Sequence, residues 1–136
     1  MKKLSLIVLL AIAAPAAFAQ SQSPQSVKVP GYNISAPERT FSKAAAGFDN
    51  YRGAYDLSNG QVLSLMAHGA SMFAQLDDGD RHELAATGYG KFVAKDLSLK
   101  ITLERKADGD VGGEMLIAKS SSVAGQPMEY VRIALR

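Results

Sequence analysis

Two histidines, two acidic turns and one serine run are the residues of this chain whose types could do chemistry. His68 and His82 are its only imidazoles, and a histidine oriented by a carboxylate can serve as a general base. Glu83 follows His82 directly, but neighbours along a strand point to opposite faces, so Glu83 does not orient that ring. His68 lies beside the turn residue Gly69. Both read more simply as turn or half-buried structural histidines. Asp77-Asp78-Gly79-Asp80 and Asp108-Gly109-Asp110 bring together the oxygen ligands that Ca²⁺ favours. Neither has the longer spacing of an EF-hand loop, and Asp-Gly is a common hairpin turn in its own right. Ser120-Ser121-Ser122 sits in no Gly-x-Ser-x-Gly elbow, the strand-to-helix turn that exposes a nucleophile. With no cysteine, thiolate chemistry and disulfides are excluded. These residues therefore assign no catalytic, cofactor-binding or metal-ligating position, and the expectation is a non-enzymatic protein without a cofactor. Tyr51, Tyr55, Phe73, Tyr89 and Phe92 could line an apolar cavity, although in a small barrel such side chains ordinarily fill the interior.

The elements that would position these groups begin after a leader. Lys2 and Lys3 form a positive start, and Leu4 to Ala14 is apolar except for Ser5. That run is too short to cross a hydrocarbon core of about 30 Å as a helix. Pro15 breaks it, and Ala17-Phe18-Ala19 is the small-x-small pattern of a signal-peptidase site. Residues 1–19 are thus expected to be a cleaved signal peptide, leaving Gln20 first and the product soluble, periplasmic or secreted. No integral membrane segment is expected after cleavage. The chain carries 15 Lys and Arg against 13 Asp and Glu; without Lys2 and Lys3 the count is 13 against 13. Basic residues are interspersed with acidic ones, so nucleic acid is not an expected partner.

Residues 20–46 are expected to form a polar linker or loosely docked, mobile arm. SQSPQS at 21–26 has the composition of a solvated linker. Val27 to Val29 and Tyr32 to Ile34 alternate briefly, but Pro30 and Pro37 restrict them to edge or irregular pairing. A short helix is predicted around Phe41 to Phe48. Residues 47–136 are expected to be one antiparallel β domain, because alternating runs recur between turn residues at near-regular spacing. The predicted strands are Arg52 to Leu57, Val62 to Ala67, Ser71 to Leu76, Arg81 to Ala85, Lys91 to Lys95, Leu97 to Arg105, Val111 to Ala118 and Pro127 to Leu135. A glycine bulge at Ser58-Asn59-Gly60-Gln61 is expected to oppose Leu57 to Leu63 and Tyr55 to Leu65, gathering one apolar face. Each strand has one apolar face and no helix is long enough to cover them. The fold class is therefore all-β, a meander of about eight strands closing into a small barrel or half-barrel, which also removes exposed edges.

The stretches YRGAYDLSNGQVLSL at 51–65, MFAQLDDGDRHELAATGYGKFVAKD at 72–96 and LSLKITLERKADGDVGGEML at 97–116 resemble a known family. It is the small lipocalin-like β domain appended to periplasmic serine hydrolases related to β-lactamases, found also in short stand-alone exported proteins. The shared pattern is a Tyr-x-Leu strand, an Asn-Gly turn, Leu-x-Leu, an aromatic strand ending in acidic turn residues, a Phe strand, and an apolar strand before Val-x-Gly. The resemblance implies a barrel or half-barrel with an accessory or interaction role, and it carries no catalytic residue onto this sequence. The expected function is that of an exported binding or interaction module whose partner is another envelope protein, a second copy of itself or a small apolar ligand. The alternatives are an accessory subunit of a periplasmic serine hydrolase and a carrier of a small apolar ligand.

Overall fold

The computed structural model describes residues 27–28, 34–119 and 129–136. The expected signal peptide, part of the expected linker or arm, and Ser120 to Ser122 lie outside the described residues. The strands are β1 (Val27–Lys28), β2 (Gly53–Asp56), β3 (Val62–His68), β4 (Ser71–Leu76), β5 (Arg81–Gly88), β6 (Lys91–Ala94), β7 (Leu99–Arg105), β8 (Val111–Lys119) and β9 (Glu129–Leu135). One antiparallel sheet runs β1-β9-β8-β7-β6-β5-β4-β3-β2, so β2 to β9 form an eight-stranded meander.

The meander curls until its ends meet. Leu57 and Leu135 form a bridge, the Ser58 N–H donates to the Ala134 carbonyl at 2.9 Å, and the Arg136 N–H donates to the Asp56 carbonyl at 2.9 Å. Higher on the same edge of β9, β1 pairs with Val131 and Arg132. The nearly closed barrel buries one alternating set of side chains: Leu63 and Leu65 from β3, Met72 and Ala74 from β4, Leu84 and Ala86 from β5, Phe92 and Ala94 from β6, Leu99, Ile101 and Leu103 from β7, Met115 from β8, and Val131, Ile133 and Leu135 from β9. Fully burying one such aliphatic or aromatic side chain is worth about 1.5–3 kcal/mol, which is why the period-two pattern drives closure.

The first hairpin has the expected bulge but a different register. Tyr55 faces Leu63 and Gly53 faces Leu65, while the Leu57 N–H donates to the Gln61 carbonyl at 2.8 Å. The expected pairs, Leu57 with Leu63 and Tyr55 with Leu65, are therefore displaced by two residues. The apolar face survives because a two-residue slip preserves side-chain parity. Gly60, at φ 84°, supplies the left-handed residue of the turn. In the sixth predicted strand, Leu97 lies outside β7 at φ 61°, because Ser98 folds back onto the Asp96 side chain before the strand begins.

In the segment expected as a loosely docked arm, residues 35–45 are exposed or half-buried, and the segment is anchored to the barrel at either end. Ile34 is buried on the outside of the barrel against Val93, Leu116 and Tyr130, with Leu97 and Ala118 at the margin. The Phe41 N–H then donates to the Ala86 carbonyl at 3.0 Å. The predicted helix over Phe41 to Phe48 is reduced to turns, with one 3₁₀ turn at Phe48–Asn50. Ser42 caps the first turn through Oγ to the Ala45 N–H at 3.2 Å. Gly47, at φ 65°, ends it before a second turn can form. This knot plugs one barrel end: Ala46, Phe48 and Tyr51 are buried in the main core. Phe48 meets Phe92 edge to face at 5.3 Å. Gly90 secures the plug, its N–H donating to Ala46 at 3.0 Å and its carbonyl accepting from Leu103 at 2.7 Å. A methyl group on Gly90 would stand 2.4 Å from the Leu103 carbonyl oxygen.

Candidate functional site

The richest cluster of chemistry-bearing side chains surrounds His82, at the barrel end opposite the plug. The pairing of Leu84 with Ala94 in the β5–β6 ladder, carried one pair outward twice, sets Glu83 against Lys95 and His82 against Asp96. Both pairs form. Lys95 Nζ donates to Glu83 Oε1 at 2.6 Å, and His82 Nδ1 lies 2.7 Å from Asp96 Oδ2. His82 shares its inward parity with Leu84 and Ala86, so its ring caps the apolar interior while its edge meets the β6–β7 turn.

Ser98 completes the cluster. Its hydroxyl lies 3.0 Å from His82 Nδ1 and donates to Asp96 Oδ1 at 2.5 Å, and its backbone N–H donates to the same oxygen at 3.0 Å. Partial burial acts to raise the Asp96 carboxyl, but the hydrogen bonds from Ser98 and His82 outweigh it and hold that group below the usual carboxylate range.

Serine, histidine and aspartate side by side invite comparison with a nucleophilic relay, and the geometry differs from one. A relay sets the serine on one ring nitrogen and the carboxylate on the other, so that a proton crosses the imidazole. Here Ser98 and Asp96 share Nδ1, and the serine hydroxyl donates straight to the carboxylate. A carboxylate held below its usual range is a poor base for a hydroxyl. His82 Nδ1 faces Asp96 and Ser98, and Nε2 has no hydrogen-bond partner among the described residues.

The other sequence candidates are dispersed. His68 ends β3 on the outer face, away from His82 and at the opposite end of the barrel. The Asp77 carboxylate ties two hairpins together, accepting the Val62 N–H at 2.8 Å on Oδ1 and the Gln61 amide at 3.0 Å on Oδ2. Asp108 accepts the Asp110 N–H at 3.0 Å, a local turn contact. Among the described residues, no three His, Asp or Glu side chains converge on a point that would hold a metal ion. Tyr51 and Phe92 fill the interior, Tyr55 and Phe73 are half-buried, and Tyr89 is exposed, stacked edge to face on Tyr51 at 5.7 Å.

No family model, curated protein or solved structure matches this chain. Function therefore rests on the geometry. Asp96 and Ser98 were not singled out by residue type; the signal that finds them is the β5–β6 register. A bulge between Ala86 and Gly88 shifts that register by one position next to the turn, so counting outward from Thr87-Gly88-Tyr89-Gly90 does not pair His82 with Asp96. Among the described residues no helix is long and apolar enough to cross a membrane.

Proposed function

We propose that this chain is an exported, non-enzymatic binding module that works through its outer surface. The observation that carries the reading is the state of the interior: Phe48, Tyr51, Leu57, Leu63, Phe92, Leu99, Ile101 and Met115 are each almost wholly removed from solvent. They occupy the space in which a barrel would otherwise hold a ligand. Placement outside the cytoplasm rests on residues 1–19, whose charge, apolar run and Ala-Phe-Ala site fit a secretory signal. The polar cluster at His82 supports the non-enzymatic part, because its serine and carboxylate compete for one nitrogen. The resemblance to the lipocalin-like domain of periplasmic serine hydrolases is supported by the eight-stranded meander, and it makes an envelope protein, a hydrolase among them, the partner of choice.

The test is capture from a bacterial envelope extract on the immobilised, purified protein, with light scattering on the same protein to detect self-association. A saturable envelope partner, or a defined oligomer, is the expected result. Turnover of ester or amide substrates that vanishes in His82→Ala would overturn the reading. N-terminal sequencing of the exported product is expected to begin at Gln20.

A further inference from the structure

We propose that the notch left where β2 stops short of β3 is a binding site for a small anionic amphiphile, a carboxylate head on an apolar chain. This deepens the binding-module reading and rests on it. β2 begins at Gly53, opposite Leu65, whereas β3 continues to His68. Met66 to His68 therefore pair with β4 on one side only. The resulting groove, about 770 Å³ and open to solvent, is lined by Arg52, Met66, His68, Phe73 and Arg81 together with the neighbouring backbone. That volume lies within the range of small-molecule sites, about 300–1,000 Å³.

The lining has two chemistries in the right order. Met66 and Phe73 are cross-strand partners on the outer face and form a half-buried apolar floor. Arg52, His68 and Arg81 stand around it, and no carboxylate lines the groove. Glu83, opposite Phe73, is neutralised by Lys95 at 2.6 Å. Arg52 reaches Asp49 only at 3.7 Å between exposed groups, a weak surface pair. Arg81 is exposed and has no ion-pair partner among the described residues. A β domain whose residues 47–136 carry 10 Lys and Arg against 12 Asp and Glu thus gathers unmatched positive charge beside half-buried apolar surface in this groove. A guanidinium fork accepts a carboxylate through paired hydrogen bonds. The strand alternation adds a further donor: the Leu57 N–H bonds to Gln61 across the hairpin, so residues of that parity, Ala67 included, turn their backbone groups toward the vacant β2 position.

The experiment is an amide ¹⁵N–¹H titration of the purified protein with dodecanoate below its micellar concentration, with dodecanol and dodecyltrimethylammonium as parallel arms. Dodecanoate is expected to shift residues 52–53, 65–68, 73 and 81 saturably. The alcohol should bind at least tenfold more weakly, and the cationic amphiphile should leave these residues unmoved. Arg81→Glu, at an exposed position, is expected to weaken dodecanoate at least tenfold with an unchanged melting midpoint, and Arg52→Glu with Arg81→Glu to abolish it. Equal response to all three amphiphiles, no saturable shift with dodecanoate, or shifts centred on interior residues such as Ile101 and Met115 would overturn the proposal. If the parent chain fails to bind dodecanoate but still captures an envelope partner, the broader module reading stands; failure of the parent chain in both assays would remove the two together.

Discussion

Phe48 is the residue on which the account of the N-terminal segment can be broken. A turn lying on the barrel surface would lose little when one of its side chains is truncated, since surface substitutions usually stay within about 0.5 kcal/mol. The structure instead buries Phe48 completely and sets it edge to face against Phe92 at 5.3 Å. Truncating a buried Phe to Ala removes its transfer energy and leaves a cavity, together about 3–5 kcal/mol. Most of the interaction with Phe92 is contained in that figure; the pair itself is worth about 0.5–1.5 kcal/mol and is isolated by the double cycle with Phe92→Ala. Set against the stability of a typical domain, about 5–15 kcal/mol, the loss is large. It should lower the melting midpoint by more than 10 °C, since each kcal/mol shifts a domain of about this size by roughly 4–8 °C. Urea unfolding followed by far-ultraviolet circular dichroism measures the change, and Phe41→Ala is the control, because Phe41 is 46% exposed and should cost about 0.5 kcal/mol or less. A Phe48→Ala loss below about 1 kcal/mol, or a Phe41→Ala loss equal to it, would refute the plug.

Other outcomes follow from equally local geometry. Gly90→Ala combines a left-handed backbone with a methyl placed 2.4 Å from the Leu103 carbonyl oxygen, so it should cost about 2–4 kcal/mol. Gly60→Ala, in open space, should show only the left-handed penalty of about 1–2 kcal/mol; equal urea midpoints for the two would contradict the packing around Tyr51. The Asp96 carboxyl lies below its ordinary value in the folded chain. Its contribution is therefore complete above the unfolded value, near 3.8, and is lost as pH falls through the lower folded value. Asp96→Asn should flatten the acid limb of the stability profile below about pH 4, and an unchanged limb would remove Asp96 from the account. Imidazole ¹⁵N shifts at neutral pH should report His82 with its proton on Nδ1, a preference that weakens in Asp96→Asn and persists in Ser98→Ala. Observation of the Nε2–H form in the parent chain would contradict the hydrogen bonding described for this cluster.

Much of the fold was readable in the residues because burial follows parity. Leu99, Ile101 and Leu103 alternate with Lys100, Thr102 and Glu104, and all three apolar members are buried. Parity, however, is blind to a slip of two. The expected pairing of Leu57 with Leu63 and the observed facing of Tyr55 with Leu63 bury the same side chains. The observed register sets Leu57 opposite Gln61, whose amide donates to Asp77 on the next hairpin, a contact that no pattern within one hairpin contains. Leu97 continues the alternation of β7 in sequence but leaves it in space and lies at the margin of the outer cluster. The docked segment from Ile34 to Phe48 was hidden for a related reason. Its anchors, Ile34, Ala46 and Phe48, are too far apart to form a period, and each meets a different part of the barrel. At the polar cluster, the residue types of His82, Asp96 and Ser98 were visible, but their meeting depends on a one-residue bulge that alternation does not announce.

The joint between Leu57 and Leu135 separates this barrel from a fully laddered cylinder. Every other junction in the meander is held by a run of paired residues, whereas this one rests on a single bridge and a few flanking contacts, with β1 covering only part of the remaining margin. The cylinder consequently has a built-in zip. Opening is expected to begin here, and amide protons along β2 should exchange sooner than those of β8, which is laddered to a neighbour on both sides.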